Sequence, residues 1–182
     1  MTFRKLDEPC GANLTFRDFT DCSDTFKVSG VKNIPKEEKS FLALVDLSRY
    51  IIDPLIKQFG LLQLTYGFAS PELTKHVKGR IAPSLDQHSS YEKNNKGQLI
   101  CERGGAAADF YIEKTKSFSV AKWIIEHTSF DRIYFYGNNK PLHVSYGSQL
   151  NRSIVVMKPS KSNQSRYIPR VYKEEEFILL RV

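Results

Sequence analysis

The chain has no apolar run of membrane-spanning length, and its opening residues, Met1-Thr2-Phe3-Arg4-Lys5-Leu6-Asp7-Glu8, hold no apolar stretch that could act as a signal peptide. A cytoplasmic protein without a membrane span is the expectation. Cysteine is scarce: Cys10, Cys22 and Cys101 are odd in number and show no Cys-x-x-Cys spacing. That argues against a disulfide framework and a zinc ribbon, and fits a reducing compartment. No internal repeat is visible. Blocks of basic residues are missing too, although 27 Lys and Arg against 20 Asp and Glu leave a formal charge of +7. Lys158, Lys161, Arg166, Arg170 and Lys173 are spread through a Ser- and Asn-containing stretch, the pattern of a solvated face. The charge admits nucleic acid, an anionic cell-wall polymer or an acidic lipid surface as partner without choosing among them.

What is present is enough for a packed globule. With 182 residues, 41% of them hydrophobic and 12% aromatic, residues 1–182 read as a single domain that needs no disulfide or metal to hold its core. Any metal is then functional. Residues 1–35 read as an irregular lead with a docking segment around Phe16 to Phe19. Phe41, Leu44, Val45, Ile52, Leu55, Ile56 and Phe59 recur at helical spacing between Lys36 and Phe59, with the small Ser48 on the same face and Gly60 as terminator. Asp53-Pro54 predicts a kink or break inside that helix.

Leu61 to Phe68 reads as a strand, and Ser70-Pro71 as an N-cap and first turn of a short helix to about Val77. The polar, turn-rich stretch from Lys78 to Gly105 reads as a mobile surface loop. Ala106 to Ile112 is a strand, and Ser119 caps a helix to His127 with Val120, Trp123 and Ile124 inside. Arg132 to Tyr136 and Leu142 to Tyr146 flank Gly137-Asn138-Asn139-Lys140-Pro141 as a β-hairpin. Ile154 to Met157 adds a strand, and Phe177 to Leu180 adds another or docks on the core. The fold class is α+β, with helices packed on a small, mainly antiparallel sheet that presents the site on one face.

Three residues sit in contexts suited to a zinc ligand: Asp86-Gln87-His88, Asp109 after Gly105-Ala106-Ala107-Ala108, and His143 in Pro141-Leu142-His143-Val144-Ser145. Two imidazoles and a carboxylate with a fourth position open to water are the donor set of a catalytic zinc site. A strand carboxylate among small residues is expected to be largely buried, and needs a partner there. The plainer alternatives are a surface-loop role for His88 and a satisfied strand histidine at His143. His76 and His127 read as surface or core-edge residues.

The order of these elements resembles the zinc peptidases of the D-alanyl-D-alanine carboxypeptidase and D-Ala-D-Ala dipeptidase type, whose fold is shared with the hedgehog signalling domain. The resemblance covers 16–146, a peptidase-like core. It rests on Phe19-Thr20-Asp21-Cys22-Ser23, Asn33-Ile34-Pro35 and Asp53-Pro54-Leu55, then on Tyr66-Gly67-Phe68-Ala69-Ser70, which is similar to the family's Ser-Gly-Tyr-Arg-Ser junction. Gln87-His88 resembles its Ser-Gln-His, Gly105-x-Ala107-x-Asp109 its Gly-x-Ala-x-Asp, and His143-Val144-Ser145 its final His-Val-Ser.

The resemblance implies a Zn2+ cofactor on His88, Asp109 and His143, with Gln87, Asp131 and Ser145 supporting the ligands from behind. It implies hydrolysis of peptides, D-alanyl cell-wall peptides among them. A phage or prophage lysis enzyme, which reaches the wall through a separate pore, accommodates the missing signal peptide.

Three departures stand against it. His88 and Asp109 are 21 positions apart, whereas the family's pair is close, so 89–104 reads as an insertion loop. The family's arginine, an oxyanion stabiliser, falls at Ala69. The catalytic glutamate falls at Tyr136, a phenol able to donate to an oxyanion but a poor base, or else a packing residue. Losing a base costs roughly 10²–10⁴ in rate, and losing an oxyanion stabiliser about 10²–10³. Glu92, Glu102 and Arg103 of the insertion are candidates to restore a base or a cation. The alternative function is a diverged metal-binding member that binds nucleic acid, a nucleotide or a protein partner. The segment 158–182 reads as a C-terminal extension covering the sheet or the cleft.

Overall fold

The strand patterns condense into one six-stranded sheet in the order β1-β2-β4-β3-β5-β6. The strands are β1 (Leu62–Tyr66), β2 (Ala106–Ile112), β3 (Arg132–Phe135), β4 (Leu142–Tyr146), β5 (Ser153–Pro159) and β6 (Tyr167–Tyr172). The computed structural model describes residues 4–77, 83–160 and 166–181; Met1 to Phe3, positions 78–82 and Lys161 of the stretches read above lie outside the described residues. All pairings are antiparallel except β3 with β5, which is parallel. The architecture is mixed α and β with a mainly antiparallel sheet. No helix among the described residues is long and apolar enough to cross a membrane.

Register sorts the side chains. Asp109 stands opposite His143 across β2 and β4, and Tyr134 opposite His143 across β3 and β4. Alternation then sends Ala106, Ala108, Phe110, Ile133, Phe135, Leu142, Val144, Ile154 and Val156 to the other face, where all are buried in the apolar core. Burying one such Phe, Ile, Leu or Val side chain contributes about 1.5–3 kcal/mol.

Helices close that face. They are α1 (Phe16–Asp21), α2 (Asp24–Ser29), α3 (Glu38–Leu47), α4 (Asp53–Phe59), α5 (Pro71–Thr74), α6 (Ser117–His127) and α7 (Glu174–Ile178). The lead is more regular than its sequence suggests: Thr15 and Asp18 form a capping box on α1, and Ser23 caps α2. Phe16 and Phe19 dock fully buried, as expected.

The interruption at Pro54 takes the form of a π-helical turn, Ser48–Ile52, joining α3 to α4. Pro54 cannot donate to the preceding turn and its ring crowds the carbonyl four residues back, and a wider turn relieves both. Asp53 N–H reaches back to the Ser48 carbonyl. Gly60 terminates α4 at φ 87°, as predicted.

Two expectations need correction. Helix α6 starts at Ser117, not after Ser119, because Asn138 of the hairpin loop accepts from Phe118 N–H (3.2 Å) and the Ser117 hydroxyl donates to the Lys140 carbonyl (2.6 Å). The polar segment after position 82 is anchored: Glu92 and Cys101 are buried, and Lys93 bridges Leu99. Glu92 Oε1 accepts from Lys36 N–H (3.0 Å), Glu37 N–H (3.2 Å) and the Ser40 hydroxyl (2.8 Å), so it satisfies the start of α3. Phe177 docks on the core, the second of the two expectations for its segment, from a helix, α7, and packs edge-on against Phe135 at 5.6 Å. Arg152 ties that helix down, donating to Glu174 and to the Ile125 and Thr128 carbonyls at the end of α6.

Candidate metal centre

His88 arrives on a 3-10 turn, Gln87–Ser89, that is locked from several sides. Asp86 caps it by accepting from His88 N–H (3.1 Å), and Ala69 N–H donates to the His88 carbonyl (2.9 Å). Gln87 is buried and its Nε2 donates to Asp131 Oδ2 (2.7 Å) and to the Gly104 carbonyl (2.9 Å). Asp131, also buried, accepts from Asn151 N–H and Nδ2 as well. Gln87 and Asp131 thus hold the turn that carries His88, rather than touching a ligand imidazole.

A longer chain of contacts fixes the ring. Gly67 runs so close to Phe19 that a Cβ there would sit 2.4 Å from the Phe19 carbonyl oxygen, which only glycine permits. Phe68 N–H donates to that same carbonyl at 2.8 Å. The buried Asn33 clamps the junction, donating to the Thr20 and Phe68 carbonyls and accepting from Ser70 N–H. The Gly67 carbonyl so placed accepts from His88 Nδ1 at 2.7 Å. That bond leaves the lone pair on Nε2, facing Asp109 and His143.

Three donor atoms converge. His88 Nε2 lies 3.2 Å from His143 Nδ1 and 3.3 Å from Asp109 Oδ1, and His143 Nδ1 lies 2.7 Å from Asp109 Oδ1. Ligands at about 2.0–2.1 Å from a tetrahedral ion stand roughly 3.3 Å apart. The triad fits that edge length at two of its three separations, and the third is the shorter one of an imidazole bonded to a carboxylate. This buried group can hold a metal ion. The His88 and His143 side chains are 5% and 11% exposed while Asp109 is 27% exposed, so the group opens to solvent on the carboxylate side. Asp109 is less buried than its small neighbours suggest.

Charge is balanced inside the cluster. Burial pushes the Asp109 carboxyl up, but the two imidazoles outweigh it and hold Asp109 far below the usual carboxylate range. Burial pushes His88 down, and the Asp109 charge and hydrogen bond, with Asp86 and the Gly67 carbonyl, reverse it to a net rise.

Aromatic rings wall the group. Tyr66 packs on His88 with centroids 4.3 Å apart, and Tyr134 meets His143 edge-on at 4.9 Å. Tyr136 follows β3 on the same side, its ring 5.2 Å from Tyr167 of β6, and burial with the nearby Asp109 charge drives its phenol well up. A phenol so raised donates and does not accept a proton at neutral pH. Arg103 Nη1 donates to the Tyr134 hydroxyl (3.4 Å) and the Leu85 carbonyl (3.3 Å).

Ala69 is fully buried, with no functional group to offer. Among the described residues Ser145 makes no hydrogen bond to the triad: its buried Oγ has no partner there, and neither has the Nε of Arg132 opposite it. Glu92 is engaged at α3 as described. His127 stacks on Trp123 at 4.7 Å, outside the cluster.

Tyr66 and Tyr134 are the residues that motif reading passed over. The hairpin register carried the signal for Tyr134, since a residue directly opposite His143 must share its face. Compared with protein-family models, curated proteins and solved structures, the chain matches none.

Proposed function

We propose that this protein is a zinc-dependent hydrolase of the peptidase type, built on the hedgehog/DD-peptidase arrangement and acting on D-alanyl peptides. The observation that carries the reading is the convergence of His88 Nε2, His143 Nδ1 and Asp109 Oδ1 within 2.7–3.3 Å of one another, open on one side. Two imidazoles, one carboxylate and a single open side suit zinc with a vacant fourth position. Zinc there supplies Lewis acidity toward water and toward the scissile carbonyl.

The chain's own residues do the rest. The Gly67 carbonyl keeps His88 in the tautomer that offers Nε2. Tyr134 lies opposite His143 and Tyr136 near the Asp109 charge, and their hydroxyls are donors suited to an oxygen that gains negative charge. Tyr66 and Tyr134 cover the imidazole faces and restrict water.

The test is zinc content and cleavage measured together. Purified protein is expected to carry about one zinc and to release D-alanine from D-alanyl-D-alanine peptides, with His88→Ala abolishing both. Stoichiometric zinc without cleavage of any wall peptide sinks the hydrolase reading.

One observation favours a second reading, a diverged metal protein that binds nucleic acid, a nucleotide or a protein partner. Ala69 and Tyr136 stand where the resembling family has its arginine and glutamate, and neither can take a proton from water. Tight binding to DNA or RNA that weakens steeply with salt would support it.

A further inference from the structure

A cavity of about 700 Å³ lies among the residues before α1, the segment 32–36 that leads toward α3, and α5, and none of the metal-binding residues lines it. That volume falls in the range of small-molecule sites. Leu6, Ile34, Pro35 and Phe41 give it an apolar lining, with Pro35 and Phe41 buried and Phe41 held edge-on to Phe16 at 5.0 Å. Its walls are fastened. Arg17 N–H donates to the Leu6 carbonyl at 2.8 Å, Asn33 clamps the segment to the Thr20 and Phe68 carbonyls, and Lys36 N–H donates to Glu92 at 3.0 Å. A ligand entering a cavity so held has little chain to order.

Five cations share the lining. Arg4 pairs with Glu38 at 3.3 Å, Arg17 with Asp7 and Asp21, and Lys36 with Glu72 at 2.7 Å. Lys5 and Lys32 have no acid partner among the described residues. Two ammonium groups beside apolar surface match a ligand of the same two parts, an apolar body and a doubly charged head. A phosphate monoester carries about −1.5 to −2 at neutral pH, and lysine binds phosphate as a point charge. A carboxylate brings half of that. Among these lining residues no neutral amide or hydroxyl stands ready to read the edge of a nucleobase, so the body is hydrocarbon. We propose that this cavity binds a small phosphate monoester of an apolar alcohol, its hydrocarbon against Leu6, Ile34, Pro35 and Phe41 and its phosphate between Lys5 and Lys32. The site requires neither zinc nor the hydrolase reading.

The test is calorimetric titration of the full-length protein with octyl phosphate below its micelle concentration, set against inorganic phosphate, octanol and octanoate. Wild type is expected to bind octyl phosphate at least about tenfold tighter than any of the other three. Lys5→Ala/Lys32→Ala should lose at least about tenfold of that affinity. Its denaturation midpoint should stay that of wild type, because both side chains are exposed. Lys32→Glu, which sets a like charge against the phosphate, should weaken binding more than Lys32→Ala.

Octanol or inorganic phosphate binding as tightly as octyl phosphate overturns the proposal, the first by leaving an apolar hollow and the second by leaving a surface anion contact. Octanoate binding as tightly overturns it too and reassigns the head to a carboxylate. An affinity that survives in Lys5→Ala/Lys32→Ala removes the site from this cavity. Binding to phosphatidylcholine vesicles containing phosphatidic acid, with none to octyl phosphate, overturns the small-molecule assignment in favour of a lipid surface.

Discussion

The two faces of the sheet are made by alternate residues of the same strands, yet they obey different rules. On one face Ala108, Phe110, Val144 and Ile133 are nearly inaccessible and belong to the apolar core. On the other, Asp109 and His143 hold polar atoms within hydrogen-bond reach of each other, the Tyr134 ring meets His143, and Asp109 remains partly open. The first face holds the fold by shape and area. The second gathers a carboxylate and two imidazoles that are costly to bury and that repay the cost only through one another or through an ion. Neighbouring positions should therefore fail in opposite ways.

Four changes break or sharpen that contrast. The largest effect is expected from Phe110→Ala, which opens a cavity in the core and should cost about 3–5 kcal/mol of unfolding free energy. Denaturant titration should show it, with zinc affinity of the surviving folded protein little altered.

Zinc comes next. Because an ion held by the folded triad does not recognise the unfolded chain, zinc at 1,000 times its Kd should stabilise wild type by about 4 kcal/mol. His88→Ala should lose that gain while its metal-free stability changes less. Equal zinc stabilisation of wild type and His88→Ala would sink the assignment of the triad.

Gly67→Ala should blur the contrast. Its new Cβ would lie 2.4 Å from the Phe19 carbonyl oxygen, so the backbones must part at a cost of order 1–3 kcal/mol. The Gly67 carbonyl would shift away from His88 Nδ1, lowering zinc affinity by about 10–100-fold.

The smallest effect concerns pH and lies outside both faces. Burial raises the Glu92 carboxyl against the bonds from Ser40 and the start of α3. A raised carboxyl binds its proton more readily folded than unfolded. Its contribution is thus present below the ordinary glutamate value of about 4.3 and lost as pH rises through the raised value. Asp109, held low, works in the other sense, adding stability above about 3.9 that is lost in acid. Unfolding free energy measured from pH 3 to 7 should rise toward acid less steeply in Glu92→Gln than in wild type.

Much of this was legible in the residues. Strand β2 was read with its observed bounds, because a run of small residues followed by aromatic and apolar ones lies between two turn-rich flanks. The hairpin was read because both strands are short and apolar around a Gly-Asn-Asn loop. His88, Asp109 and His143, which the fold brings together, were singled out because each sits in a distinctive local context. What stayed hidden is non-local. Strand β6 was missed because Pro169 and its cations resemble a coil; proline is tolerated there because β6 is an edge strand. The cap of α6 was misplaced because its partner, Asn138, lies 20 positions away. The fastening of the polar segment was missed because Glu92 looks like any loop glutamate until Ser40 and the start of α3 are brought to it.

The parallel pairing of β3 with β5 joins β3 to a strand that comes later in the chain than all three residues of the His-Asp-His group. His88, Asp109 and His143 have all left the ribosome before residue 153, so the metal-binding group can close while one side of β3 is still unpaired. Until β5 arrives, β3 is a short apolar edge whose free N–H and C=O groups invite another chain. Zinc present during synthesis would tie β2 and β4 together in that interval, giving β3 a formed neighbour to dock against and β5 a prepared seam to complete.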